Sequence, residues 1–281
     1  GKSGSWPAPR RFGAHGTPGC GYGLWLLRNH AARVKPMGWW TCPRVPHLQR
    51  CCGVMQGGMM RSFEEILAIA AERKGGADKV LAGVMPFKTA DELASSPDDR
   101  WLAMMARGIF QAGISWTVVE AKWPGIEEAF AGFDVGRLSM MDDGWLDALL
   151  ADTRVIRSGP KIAAIRDNAA FIRRVNEAEG GFARKVADWP AGDFAGLLDW
   201  LTTNGSRLGG NTGAYMLRQM GKEGYLLSKD VVARLVAEGV IGGPPTSRKA
   251  MAAVQAAFDR WRTESGQSLN TISRVLAQSI G

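Results

Sequence analysis

From Ser62 onward, apolar residues recur at spacings of three and four, and each run is preceded by a residue able to cap a helix. Ser62 and Glu65 form a capping box ahead of Phe63, Ile66, Leu67 and Ala70, with Gly75 as the stop. Asp98 is positioned to cap a helix carrying Trp101, Leu102, Met105 and Ile109, and Ser115 opens the next, which Pro124 is expected to interrupt. Asp134 and Asp142 precede two short helices, the second with Trp145 and Leu149 on one face. Ser158-Gly159-Pro160 starts a long helix through Ile162, Ile165, Ala169 and Ile172 that ends at Gly180-Gly181. Asp193, Ser228, Thr246 and Ser268 are further caps, and the last two introduce a stripe of Met251, Val254, Phe258, Trp261, Leu269, Ile272, Val275 and Leu276. No alternating apolar–polar run marks a strand, so the prediction is an all-α protein.

Residues 1–58 break this pattern. They are rich in Pro, Gly, Trp and Arg and show neither helical nor strand periodicity. Two readings compete: a basic, disordered tail that touches phosphates, or a non-native extension upstream of a start at Met59 or Met60. The second is preferred, because helix signals begin just after Met60, and the organised domain is placed at 59–281. Of the 35 Lys and Arg, eight (Lys2, Arg10, Arg11, Arg28, Arg33, Lys35, Arg44, Arg50) lie in this segment with no Asp or Glu. That leaves 27 basic against 27 acidic residues in the helical part, so the net charge of +8 does not by itself argue for nucleic acid. All four cysteines and all three histidines also fall there; Cys42, His47 and Cys51 or Cys52 lack a second spaced pair, and no metal site is expected. The absence of cysteine elsewhere fits a reducing compartment, and no run is long and apolar enough to span a membrane.

Chemistry concentrates at Leu197–Leu217. A helix with Leu197, Leu198 and Leu201 inward runs into Asn204-Gly205-Ser206-Arg207-Leu208-Gly209-Gly210-Asn211-Thr212-Gly213, and a second helix begins near Thr212. Four glycines in nine residues permit a tight turn, and the N–H groups of Gly205, Gly209, Gly210, Asn211, Thr212 and Gly213 suit one DNA phosphate, with Arg207 and Lys222 adding charge. The other reading is an ordinary helical corner whose glycines only relieve crowding. The segment alone does not choose between them.

Two further segments do. Gln111-Ala112-Gly113-Ile114-Ser115-Trp116, and the run from Ile156 and Arg157 through Lys161, Ile162, Ala164 and Asn168 to Ala169, flank a Phe130-Ala131-Gly132-Phe133-Asp134 stretch. In this order, followed by the hairpin at 197–222, they resemble the 3-methyladenine DNA glycosylase I family over roughly residues 100–222. The resemblance implies a helix-hairpin-helix glycosylase fold of two lobes with a cleft between. It implies monofunctional hydrolysis of the glycosidic bond of an alkylated purine in base-excision repair, without cofactor. Trp116, Gln111 and Phe110 would form the base pocket, and Lys161 would join the hairpin residues at the phosphates.

The match departs from the family at defined places. The family glutamate three residues before the Gln of QAG is Gly108 here, with Arg107, Ile109 and Phe110 around it, so no neighbouring carboxylate replaces it. The family's early Tyr-His-Asp-x-Glu-Trp-Gly run and its zinc ligands have no counterpart. Asp230, twenty residues beyond Gly210, occupies the place where the wider superfamily carries a catalytic aspartate; the alternative is a first-turn carboxylate that favours the helix dipole. Lys229 and Lys222 are the lysines nearest a lyase position. The expected partner is double-stranded DNA bearing an alkylated base, bound by a cytoplasmic monomer. A helix-hairpin-helix protein that binds DNA without catalysis, or a glycosylase for another lesion, is the alternative.

Overall fold

The computed structural model describes residues 60–280. The expectations for residues 1–58, including Cys42, His47, Cys51 and Cys52, lie outside the described residues. Fourteen α-helices and no strand occur among those described: α1 Phe63–Lys74, α2 Ala77–Leu81, α3 Ala90–Ala94, α4 Asp98–Gln111, α5 Trp116–Ala129, α6 Val135–Ser139, α7 Asp143–Ala151, α8 Gly159–Glu179, α9 Phe182–Asp188, α10 Phe194–Asn204, α11 Asn211–Met220, α12 Lys229–Ala237, α13 Arg248–Ser265 and α14 Leu269–Gln278.

Caps set most of the boundaries. Ser62 Oγ accepts from the Glu65 N–H while the Glu65 carboxylate accepts from the Ser62 N–H, and Gly75 closes α1 in the left-handed region (φ 79°). The side chains of Asp134, Asp142, Asp193, Ser228 and Ser268 each accept an N–H of the helix that follows. Three expectations shift. Asp98 is the first residue of α4 rather than its cap, and its carboxylate accepts from Asn176 Nδ2 at 2.6 Å. Ser247, not Thr246, caps α13. Pro124 lies inside α5 without ending it, because the carbonyl that it deprives of a partner belongs to Glu120, on a solvated stretch of the helix.

The helices gather into two groups joined by the α10–α11 hairpin. In the first, α8 packs against α4, α6, α7 and α9; in the second, α14 packs against α1, α2, α12 and α13. α11 rests on α4 and α10 rests on α13, so the hairpin touches both groups. Each group has its own aromatic core. Trp101, Phe171, Phe182 and Trp200 pack edge-on and stacked in one; Phe194, Tyr225, Phe258 and Trp261 form a chain in the other, with Tyr225 and Phe258 stacked 4.4 Å apart. Each fully buried ring of this kind stabilises the fold by about 1.5–3 kcal/mol. The stripe along α13 is therefore core beneath the hairpin.

Polar groups lock the second group. Arg234 Nε and Nη2 donate to Ser279 Oγ and O (both 2.7 Å), and Arg234 Nη1 pairs with Glu238 (3.1 Å). Glu238 also accepts from the Arg61 backbone N–H (3.0 Å) and guanidinium (2.9 Å), so the start of the described chain is bound to the end of α12.

Candidate nucleic-acid and base-binding site

The Gly-rich turn is crowded. A Cβ on Gly205 would lie 2.6 Å from Leu208 Cδ1 and 2.9 Å from the Leu201 carbonyl, and one on Gly213 would lie 2.6 Å from the Leu208 carbonyl. Gly210 has φ 60° at the start of α11, a conformation that side chains rarely tolerate. Several amides expected to face phosphate are consumed inside the corner: Gly205 N–H donates to Leu201 O, Thr212 N–H to Gly209 O and Gly213 N–H to Leu208 O. Gly205, Thr212 and Gly213 thus build the turn. The N–H groups of Gly209, Gly210 and Asn211 have no acceptor among the described residues, and they sit at the positive end of α11. Some glycines thus relieve crowding, and others leave amides free. Arg207, at φ 59°, is exposed and anchors its Nε on Pro160 O at 3.2 Å.

Helix α8 joins this turn to the QAGISW segment. Asn168 is fully buried; its Oδ1 accepts the Ser206 N–H at 2.8 Å and its Nδ2 donates to the Ser206 carbonyl at 2.9 Å. Seven residues earlier, Lys161 Nζ donates to the carbonyls of Phe110 (3.1 Å) and Ala112 (2.7 Å), satisfying the open end of α4. Burial, with a smaller push from Arg207, holds the Lys161 ammonium below the usual lysine range. Lys161 therefore directs its ammonium at the end of α4. Lys222 behaves likewise: burial lowers its ammonium, which donates to Ala187 O (2.9 Å) and Trp189 O (2.6 Å), so it adds no surface charge.

Beyond α4, Gly113 turns the chain (φ 81°) and α5 begins at Trp116. That indole is 48% exposed and is braced edge-to-face by Tyr215 of α11, with ring centroids 5.6 Å apart. Phe110 is fully buried with its ring edge-on to Phe130, so it belongs to the core and not to a pocket. Gln111 is also buried, and its Nε2 donates to Glu120 Oε1 at 3.0 Å.

Glu120 is the residue that sequence reasoning missed. It lies one helical turn beyond Trp116 and so shares its face of α5. Its half-exposed carboxylate is held by Gln111 and by both Nε (2.7 Å) and Nη2 of Arg107, whose guanidinium also lies 5.1 Å from the Trp123 ring centroid. Gly108 lies against Thr212, where a Cβ would approach Thr212 Cγ2 to 3.2 Å. Helix α4 carries no carboxylate near Gly108, yet the next helix delivers one to Gln111, three residues away. The available signal was the i, i+4 spacing of Trp116 and Glu120.

Asp230 is exposed in the first turn of α12, behind the Ser228 cap. Asn211 Nδ2 donates to Leu227 O at 3.2 Å, which ties the segment leading to Asp230 to the hairpin. A cavity of about 880 Å³ lies elsewhere, between the hairpin and α13; Asp199, Gly210, Ala214, Pro245 and Met251 line it, and Trp116, Glu120 and Asp230 do not. Among the described residues, no group of His, Cys, Asp or Glu is arranged to hold a metal ion, and no helix is long and apolar enough to cross a membrane.

Residues 94–194 match the family model described as methyladenine glycosylase, a span that contains the QAGISW segment and α8 and stops before the Gly-rich turn. A crystal structure of 3-methyladenine DNA glycosylase I is 24% identical, with a TM-score of 0.39, covering 49% of this chain and 81% of that one. A structure of the same enzyme in complex with 3-methyladenine is 22% identical over 49% and 80%, again with a TM-score of 0.39. A third, of the enzyme from Staphylococcus aureus, is 22% identical over 49% and 79% at the same TM-score. A comparison with curated proteins found no match.

Proposed function

We propose that this chain is a monofunctional DNA N-glycosylase of base-excision repair that hydrolyses the glycosidic bond of an alkylated, 3-methyladenine-like purine. The observation that carries the reading is the half-exposed Trp116, braced by Tyr215 on the very helix whose first amides are free. One rigid element thereby links a base-stacking surface to a phosphate-binding turn. N3-methylation makes adenine cationic, and an indole face attracts a cation. Extruding the nucleotide costs on the order of a few kcal/mol, less for a damaged base, and stacking on Trp116 returns about 1–3 kcal/mol. Glu120, one turn along, places negative charge beside the same face. Asp230 stabilises the oxocarbenium-like sugar or orients the attacking water. Lys222 is committed to two carbonyls, which withdraws it from a Schiff-base role.

The partner is duplex DNA with an alkylated base, engaged by a monomer in the cytoplasm. The test is release of free base from methylated duplex DNA by the full chain, compared with Asp230→Asn. Release that is lost in the variant while DNA affinity persists supports the assignment. DNA binding without release by the unaltered chain favours the second reading, a helix-hairpin-helix binding protein without catalysis, for which Gly108 in place of a family glutamate speaks.

A further inference from the structure

Arg218 sits in the last turn of α11 and Arg274 in the middle of α14. Both line a half-enclosed cavity of about 370 Å³, together with Ser228, Asn270, Ser273 and Gln278, and no Asp or Glu is among its lining residues. Among the described residues, each arginine's hydrogen bonding goes to a backbone carbonyl: Arg218 Nη2 to Gly224 O at 3.0 Å, and Arg274 Nε to Val80 O at 2.6 Å. Arg218 Nε is buried with no partner among the described residues. Burial also pushes the Arg218 guanidinium below the usual arginine range.

Most of the remaining polar wall is already satisfied; the exception is Gln278 Oε1, buried without a partner among the described residues. Asn270 accepts from Gly224 N–H and donates to Met85 O, while Ser273 Oγ accepts from Leu226 N–H and donates to Leu226 O. Ser228 Oγ caps α12. The charged donors left over are guanidinium N–H groups, two like charges on one recess with no Asp or Glu lining it. Such an arrangement is costly unless an anion completes it. The planar guanidinium fork matches the paired oxygens of a phosphate.

We infer that this cavity is a phosphate-binding site, in which a phosphate oxyanion is gripped between Arg218 and Arg274. The assignment is separate from the glycosylase reading and stands whether or not the chain excises bases. The phosphate comes either from a free phosphate-bearing small molecule or from the backbone of DNA; the binding chemistry is the same.

The test is titration of the full chain with sodium phosphate at ionic strength held constant with chloride, followed by melting temperature and calorimetry. A saturable rise in melting temperature beyond the chloride control is expected. Arg274→Gln should weaken phosphate affinity roughly tenfold or more, since it removes one charge-assisted donor set. Arg218→Lys, which keeps the charge and loses the fork, should do the same, and circular dichroism in phosphate-free buffer checks that each variant is folded. Stabilisation no greater than that by chloride, or phosphate affinity in both folded variants equal to that of the unaltered chain, overturns the site. Competition between phosphate and an undamaged duplex identifies a backbone phosphate; independent binding of the two identifies a small phosphorylated molecule. Either result keeps the site.

Discussion

Asn168 holds Ser206 by both of its backbone groups, so that one buried amide on α8 carries the hydrogen bonding of the first residue past the Gly205 corner. Lys161, on the same helix, secures the end of α4 just before Trp116. Helix α8 therefore braces both the Gly-rich turn and the end of α4 that precedes Trp116.

Replacing Asn168 by Ala leaves the Ser206 N–H and carbonyl without partners in a partly buried corner. We expect a loss of about 2–3 kcal/mol in unfolding free energy, together with weaker binding to undamaged duplex. Urea denaturation and fluorescence anisotropy measure the two. Unchanged DNA affinity in a destabilised variant would show that the corner has no part in phosphate recognition.

Trp116 and Phe110 should respond in opposite ways. Trp116→Ala removes a half-exposed ring, so stability should change by less than about 1 kcal/mol while excision efficiency falls roughly 10- to 100-fold. Phe110→Ala empties a fully buried site and should cost about 3–5 kcal/mol in stability. Parallel thermal melts and single-turnover excision assays decide. A Trp116 variant with full activity would remove the stacking role.

Glu120→Gln keeps the shape of the side chain and an acceptor for Gln111, and discards the charge. Arg107 already offsets part of that charge, and the carboxylate is half-exposed, so the effect is moderate: kcat/KM for a cationic methylated base should drop about 5- to 10-fold. Affinity for undamaged duplex should not move. An unaltered kcat/KM would confine Glu120 to holding Arg107 in place.

Acid should weaken the second helical group through Glu238. Burial alone would raise this carboxyl, but the backbone and guanidinium of Arg61 and the guanidinium of Arg234 outweigh it and hold the group below the ordinary glutamate range. A carboxyl lowered on folding contributes stability that is complete above its unfolded value and is lost as pH falls through the folded one. Stability should therefore decline below about pH 4.5, and Glu238→Gln should flatten that part of the profile while lowering stability near neutrality. Denaturation midpoints from pH 3 to pH 7 would show it; parallel profiles for both proteins would contradict the assignment.

Much of this was legible in the chain itself, because it is local. Helical period, the Ser62–Glu65 box and the caps at Asp134, Asp142, Asp193, Ser228 and Ser268 depend on residues within one turn, and short-range sterics and hydrogen bonds enforce them. The order of QAGISW, the Lys161 helix and the Gly-rich corner was equally readable, as was the core stripe from Val254 to Leu276. Tertiary structure decided which way the polar residues face. Lys161 and Lys222 look like phosphate-binding cations in sequence but turn inward, because the ends of α4 and α9 present carbonyls that must find donors. Phe110 and Trp116 are equally aromatic, and only packing buries the first and exposes the second. Glu120 meets Gln111 through a turn at Gly113 whose angle no periodicity encodes. A residue's chemistry is written in the chain; its partner is settled only when distant backbone ends and side chains compete for the same space.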